Sequence, residues 1–150
     1  MAKPALVLDA SVGVKWFSAV GEPNVPEARA ILADFVSGRL ELVVPELFFH
    51  EIGNALVHKA NISDEHLAEA LAKLCDLDLD LFSTNGERLM AAAQLARRAG
   101  ISEYDAYYIV AASENGCPLV TANPHHQGPG LGCRVIPIEE WQEGSGFLVL

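Results

Sequence analysis

Short apolar runs alternate along the chain with longer stretches in which apolar residues recur every three or four positions. The runs Ala5-Leu6-Val7-Leu8, Leu40 to Val44, Pro118-Leu119-Val120-Thr121 and Arg134 to Ile138 have the length and composition of strands, and Leu77 to Phe82 alternates as a strand does. The periodic stretches predict helices. One follows Asp9 and contains Val14, Trp16 and Phe17, and the next opens at Asn24 and Pro26, carries Ala28, Ile31, Leu32 and Phe35, and ends near Gly38. Another starts at Pro45 with the stripe Leu47, Phe48, Ile52, Ala55 and Leu56, and a further one follows Ser63 with Leu67, Ala70, Leu71 and Leu74. Thr84-Asn85-Gly86-Glu87 fits a capping box ahead of Leu89, Ala92, Ala93 and Ala96, a helix that Gly100 would end. Ser102 opens the last helix, which runs to about Asn115. Strands and helices that alternate in this way predict an α/β fold with a mostly parallel sheet. No linker, repeat or low-complexity block interrupts them, so residues 1–150 are expected to form a single domain.

The segment from Asn123 to Gly132 is rich in Gly and Pro and can continue neither a helix nor a central strand, which makes it a candidate rim for a site. Phe147-Leu148-Val149-Leu150 is an apolar tail that could pack on the domain or on a partner.

Composition narrows the class. With 51% hydrophobic residues in 150, the chain can bury a sizeable core. No apolar stretch reaches the roughly 20 residues that span a bilayer, and Met1-Ala2-Lys3-Pro4 is not followed by the apolar region of a secretory signal. A cytoplasmic protein is expected. The three cysteines, Cys75, Cys117 and Cys133, lack the close spacing of a zinc or redox pair and read as reduced and structural. A formal net charge of −10 argues against a protein that coats nucleic acid through a basic surface. It leaves room for an enzyme acting on RNA, because an acidic metal centre contributes negative charge of its own.

Four polar residues stand where such a centre would need them. Asp9 and Asn123 each end an apolar run, at the carboxyl end of a predicted strand, where open α/β sheets bind ligands. Asp9 also suits a helix N-cap, and Asn before Pro is a common turn. Glu51 lies beside the apolar stripe of its helix, and an unpaired carboxylate buried there would be costly, so it calls for a salt bridge or a metal. Asp105 completes the capping-box pattern Ser102-Glu103-Tyr104-Asp105, yet it also begins the helix carrying Ile109, Ala112 and Ser113.

The joint arrangement is more specific than any one residue. Val7-Leu8-Asp9-Ala10-Ser11, Pro45-Glu46-Leu47 with Glu51, Tyr104-Asp105-Ala106-Tyr107-Tyr108 and Leu119-Val120-Thr121-Ala122-Asn123 resemble, in order, the motifs of PIN-domain ribonucleases, and most nearly those of VapC-like toxins from bacterial toxin-antitoxin pairs. The resemblance runs from the first strand to about Arg134. It implies a three-layer α/β/α fold around a central, mostly parallel sheet, with Mg²⁺ or Mn²⁺ in an acidic pocket. By the same resemblance Asp9, Glu51 and Asp105 would carry the metal-binding carboxylates, while Ser11 and Thr121 would position water or neighbouring ligands. The family commonly has Asp where this chain has Asn123, which keeps a carbonyl oxygen and removes a charge.

Hydrolysis of an RNA phosphodiester asks for an activated water and relief of phosphate charge, which hard cations held by oxygen supply. On that reading Asp9 and Asp105 flank the attacking water, Glu51 orients the metal or assists proton transfer, and Asn123 completes the catalytic set. Lys15 and Lys59 are candidates for holding RNA, whereas Arg97 and Arg98 suit a solvated helix end. His125 and His126 read as loop histidines. The resemblance further implies a homodimer and a cognate antitoxin whose tail covers the pocket. Leu67, Leu71 and Leu74 suit a dimer face or the core equally. The rival reading is a PIN-fold binding module, weakened by Asn123, that pairs with an antitoxin or RNA. A phosphohydrolase on the same sheet edge is disfavoured, because no Gly-rich phosphate loop is present and Asp9-Ala10-Ser11 lacks a second Asp.

Overall fold

The structure, a computed structural model, describes residues 3–127 and 130–141. Its centre is a five-stranded parallel sheet in the order β3-β2-β1-β4-β5, made of β1 (Ala5–Leu8), β2 (Glu41–Pro45), β3 (Asp80–Phe82), β4 (Leu119–Thr121) and β5 (Val135–Pro137). Helices cover both faces, giving the three-layer α/β/α arrangement that the alternation predicted. Leu6, Val7 and Leu8 are fully buried, as continuous apolar strands between two helical layers must be.

The helices are α1 (Ala10–Gly13), α2 (Val25–Val36), α3 (Leu47–Val57), α4 (Asp64–Asp76), α5 (Gly86–Ala99) and α6 (Glu103–Asn115). Several boundaries differ from the sequence expectation for local reasons. The stretch after Asp9 is split, because α1 gives way to a 3-10 turn at Val14–Trp16. Pro45 ends β2 instead of opening α3. The proposed strand from Leu77 contracts to Asp80–Phe82, with β2 as its only partner. The cap of α5 is Asn85, whose side chain accepts from the Arg88 N–H, while Thr84 Oγ1 accepts from the Tyr107 hydroxyl at 3.1 Å. Leu74 is buried, and Leu67 and Leu71 pack half-buried against the core, which accounts for that stripe within the domain. The tail at Phe147 to Leu150 lies outside the described residues.

Strand order places the site. From β1 the chain adds β2 and β3 on one side, then returns to add β4 and β5 on the other, so the order reverses between β1 and β4. Ligands in open parallel sheets collect at the carboxyl ends of strands beside such a reversal. Parallel pairing of Leu8 with Val120 sets the ends of β1 and β4 side by side. A close approach then brings α3 to the same edge. A Cβ on Gly13 would stand 2.6 Å from Phe48 Cζ and 2.7 Å from Ile52 Cδ1, so the absent side chain is what lets α1 lie against α3. That packing carries Glu51 toward the end of β1.

Candidate metal centre

Asp9 is the first residue beyond β1 and the N-cap of α1, with extended backbone and Oδ2 accepting from the Ser11 N–H at 3.0 Å. The cap reading holds, and capping leaves Oδ1 of the same carboxylate turned to other partners. Only 6% of Asp9 is exposed, and its N–H donates to Val120 O at 3.0 Å. Across the gap, Ser11 Oγ accepts from the Ala122 N–H at 3.0 Å and stands 3.5 Å from Thr121 Oγ1, which in turn accepts from the Asn123 N–H at 3.0 Å. These bonds tie the loops after β1 and β4 into one rim. Ser11 and Thr121 thus sit where the sequence placed them, with their hydroxyls engaged in holding that rim.

Glu51 and Asp105 reach the same pocket from α3 and α6. Ser102 caps α6 by accepting from the Asp105 N–H at 3.0 Å. The Asp105 carboxylate lies close enough to Asp9 and to Glu51 for its charge to raise both. Glu51 Oε1 accepts from the buried Tyr108 hydroxyl at 2.7 Å. Tyr108 is one turn on from Asp105, so a single face of α6 delivers both groups.

The electrostatics follow from burial and like charge. Desolvation pushes the Glu51 carboxyl up to about 7, the Tyr108 bond partly offsets this, and repulsion from Asp9 and Asp105 adds to it. Asp9 is raised as well, chiefly by burial, with the bonds from Ser11 and Gln127 pulling down and Asp105 pushing up. The Tyr108 hydroxyl is raised well above its ordinary value by burial and by the charges of Asp9 and Glu51. No lysine or arginine figures among the groups acting on Asp9 or Glu51.

Gln127 is a site residue that sequence reasoning missed. Asn123 O accepts from the His126 N–H at 3.0 Å, and the turn so made returns the loop to the pocket. There Gln127 Nε2 donates to Asp9 Oδ1 at 3.1 Å and approaches Asp105 O at 3.4 Å. Gln127 is 1% exposed. Asn123 itself is exposed, and its backbone makes the turn. His125 and His126 are exposed, as loop histidines were expected to be.

Lys15 requires a correction. It was expected near the pocket, free to meet substrate, on the assumption of a continuous helix after Asp9. Instead, its buried ammonium donates to Glu22 Oε2 at 3.0 Å. Lys59 is drawn to the other oxygen of the same residue, donating to Glu22 Oε1 at 3.1 Å. Both lysines are thereby committed to a carboxylate outside the acidic pocket.

The donors fit a hard cation in kind and in charge. Asp9, Glu51 and Asp105 offer carboxylate oxygens and Gln127 an amide oxygen, and the acids repel one another. Among the described residues no group of three or more Asp, Glu, His or Cys stands close enough together to hold an ion as placed.

Comparison with known proteins bears on family and fold. The PIN domain pattern matches residues 6–127. VapBC2 from Rickettsia felis, bound to a DNA fragment from their promoter, superimposes with a TM-score of 0.65 at 12% identity, covering 92% of this chain and 99% of that one. FitAcB from Neisseria gonorrhoeae gives 0.66 at 16% identity, with 90% and 99% covered. VapC20 from Mycobacterium tuberculosis, a sarcin-ricin loop cleaving toxin, gives 0.62 at 14% identity, with 76% and 86% covered. At these identities the likeness is one of fold. No curated protein matches the sequence.

Proposed function

The chain belongs to the PIN domain family, and from that premise we propose that it is an Mg²⁺- or Mn²⁺-dependent endoribonuclease, the toxin of a toxin-antitoxin pair. One observation carries the reading. Three carboxylates, from the end of β1, from α3 and from the start of α6, converge at the reversal of strand order with mutual repulsion and no basic partner acting on Asp9 or Glu51. A fold does not retain such a cluster for its own stability, since buried carboxylates without a counter-charge are costly.

A bound divalent ion would supply relief of phosphate charge and an acidified water. The chain's own groups then divide the remaining tasks. Asp9, fixed through Ser11 and Gln127, and Asp105, at the mouth of α6, hold the ion. Glu51, whose carboxyl is pushed up to about 7 by burial and by the two aspartates when no ion is present, would be drawn toward its ionised form by a bound ion and so could help to hold the ion or accept a proton. Asn123, at the rim, can orient substrate through its amide. RNA is the substrate on this reading, and VapC20, of like fold, is a sarcin-ricin loop cleaving toxin.

A protein partner belongs to the same reading. VapBC2 is a toxin-antitoxin complex of like fold, and an acidic pocket in a chain of net charge −10 suits capture by a basic antitoxin side chain. A homodimer in the cytoplasm completes the proposal. The test is cleavage of total cellular RNA by the purified protein with Mg²⁺, with Mn²⁺ and with chelator, beside Asp9→Ala and Asp105→Asn. Discrete metal-dependent products, absent from both folded variants, are expected. Metal binding without cleavage would leave the binding module as the better reading.

A further inference from the structure

One atom in the acidic pocket is left over by the chemistry proposed above. Gln127 Nε2 donates to Asp9 Oδ1 at 3.1 Å, while Gln127 Oε1 is buried with no hydrogen-bond partner among the described residues. A buried amide oxygen left unpaired is unfavourable, and such an atom beside three acids is a place where a cation or its water would find a ligand. We propose that Gln127 is a positioning residue of the metal centre: its N–H holds the Asp9 carboxylate, and its Oε1 serves the ion or an ordered water as a neutral oxygen. The inference rests on the metal-centre reading above.

The chemistry of an amide suits this position. Asp9 Oδ2 is already fixed by the Ser11 N–H, so a donor on Oδ1 fixes the plane of the carboxylate. Lysine or arginine would do the same and would also neutralise the charge that attracts the cation. Glutamine orients Asp9 and leaves that charge in place. An ionised carboxylate has lone pairs enough to accept both donors and still bind a metal, and outer partners of ligating carboxylates typically tune metal affinity about 10- to 100-fold. The same side chain approaches Asp105 O at 3.4 Å, so it spans two of the three elements that carry the acids.

Mn²⁺ binding to the full chain, read by calorimetry and by the rise in melting temperature on adding the ion, tests this independently of RNA cleavage. Gln127→Met keeps the side-chain volume and removes both polar atoms. It is expected to bind Mn²⁺ about 10- to 100-fold more weakly than the parent. Gln127→Glu keeps an oxygen and adds a charge, so it is expected to melt lower without metal and to gain more than the parent from Mn²⁺. Unchanged or tighter binding by the Met variant would overturn the proposal and make Gln127 a plug. A smaller Mn²⁺ gain in the Glu variant would overturn it too, and it remains decisive if the Met variant does not fold. A parent chain that binds no Mn²⁺ would instead overturn the metal centre itself, and this inference with it.

Discussion

Glu22 and Glu51 are the same side chain in partly buried settings, and their surroundings push them in opposite directions. Burial raises both. At Glu22 the hydrogen bonds and charges of Lys15 and Lys59 outweigh it, and the carboxyl falls below its ordinary value. At Glu51 the neighbouring charges are Asp9 and Asp105, and the carboxyl rises to about 7. The Glu22 cluster is complete within the chain: one carboxylate meets two ammonium groups. In the Glu51 cluster the charge of Asp105 raises both Asp9 and Glu51. On the proposed reading, the difference separates a polar cluster that supports the fold from one that serves binding.

The largest effect expected concerns what the second cluster does. Asp9→Ala and Asp105→Asn should each lower RNA cleavage by about 10³-fold or more, since the stabilisation lost with a metal is several kcal/mol and each 1.36 kcal/mol is tenfold. Neither should unfold the protein. Asp105→Asn relieves repulsion on both Asp9 and Glu51, so its melting temperature without metal should equal or exceed that of the parent. A loss of fold in that variant would make the acidic cluster structural after all.

The first cluster should respond in the reverse way. Glu22→Ala leaves the Lys15 ammonium, whose side chain is 3% exposed, without its partner. Removing one member of a buried pair costs about 3 kcal/mol or more, which denaturant unfolding would measure. Lys59→Ala, which removes the more accessible of the two lysines, should cost less than about 1 kcal/mol. Metal affinity should be unchanged in both, and a drop would mean that the two clusters are not separate.

How far this contrast was visible in the chain itself depended on how each residue is held. Asp9 was legible because a strand end is marked by where an apolar run stops, Glu51 because it lies beside a helical stripe, and Thr121 only through the family resemblance. Asp105 was obscured by a real cap, since Ser102 does bind its N–H. Lys15 was misplaced because its partner, Glu22, lies beyond the helical stretch, where no local pattern marks the pairing. Glu22 carried no signal at all, its role being set by two lysines, 7 and 37 positions away. Tyr108 could have been found from its place one turn beyond Asp105 in a helix. Gln127 could not, because its loop has no periodicity and only a contact over 118 positions reveals it.

Acidity gives a further way to separate the clusters, with opposite signs. Glu51 has a folded value of about 7 against an ordinary 4.5, so between these the folded state holds the proton more tightly than the unfolded chain. The contribution of Glu51 to stability is therefore full below about 4.5 and is lost as pH rises through 7. Glu22, lowered by its lysines, contributes stability above the ordinary carboxyl range that disappears as the solution is acidified. Unfolding of the metal-free protein across pH 4–8 should show a downward limb that Glu51→Gln reduces, the remainder being the share of Asp9, which is raised as well. Saturating Mn²⁺ should flatten the same limb, because the ion competes with the proton.

A subtler effect tests the neutral donor on Glu51. Tyr108→Phe removes the 2.7 Å bond to Glu51 Oε1 and leaves the ring in place. A hydrogen bond to an ionised acceptor is worth about 1.5–3 kcal/mol when intact. The benefit here falls mainly on the charged form, so the stability lost should be close to 1 kcal/mol at acid pH, where Glu51 is protonated, and larger above 7. That bond lowers the Glu51 value, so its loss should move the midpoint of the downward limb further up from about 7. A limb that stays where it was would mean that burial and the two aspartates alone set the proton affinity of Glu51, and that Tyr108 serves the core of α6 and not the acidic centre.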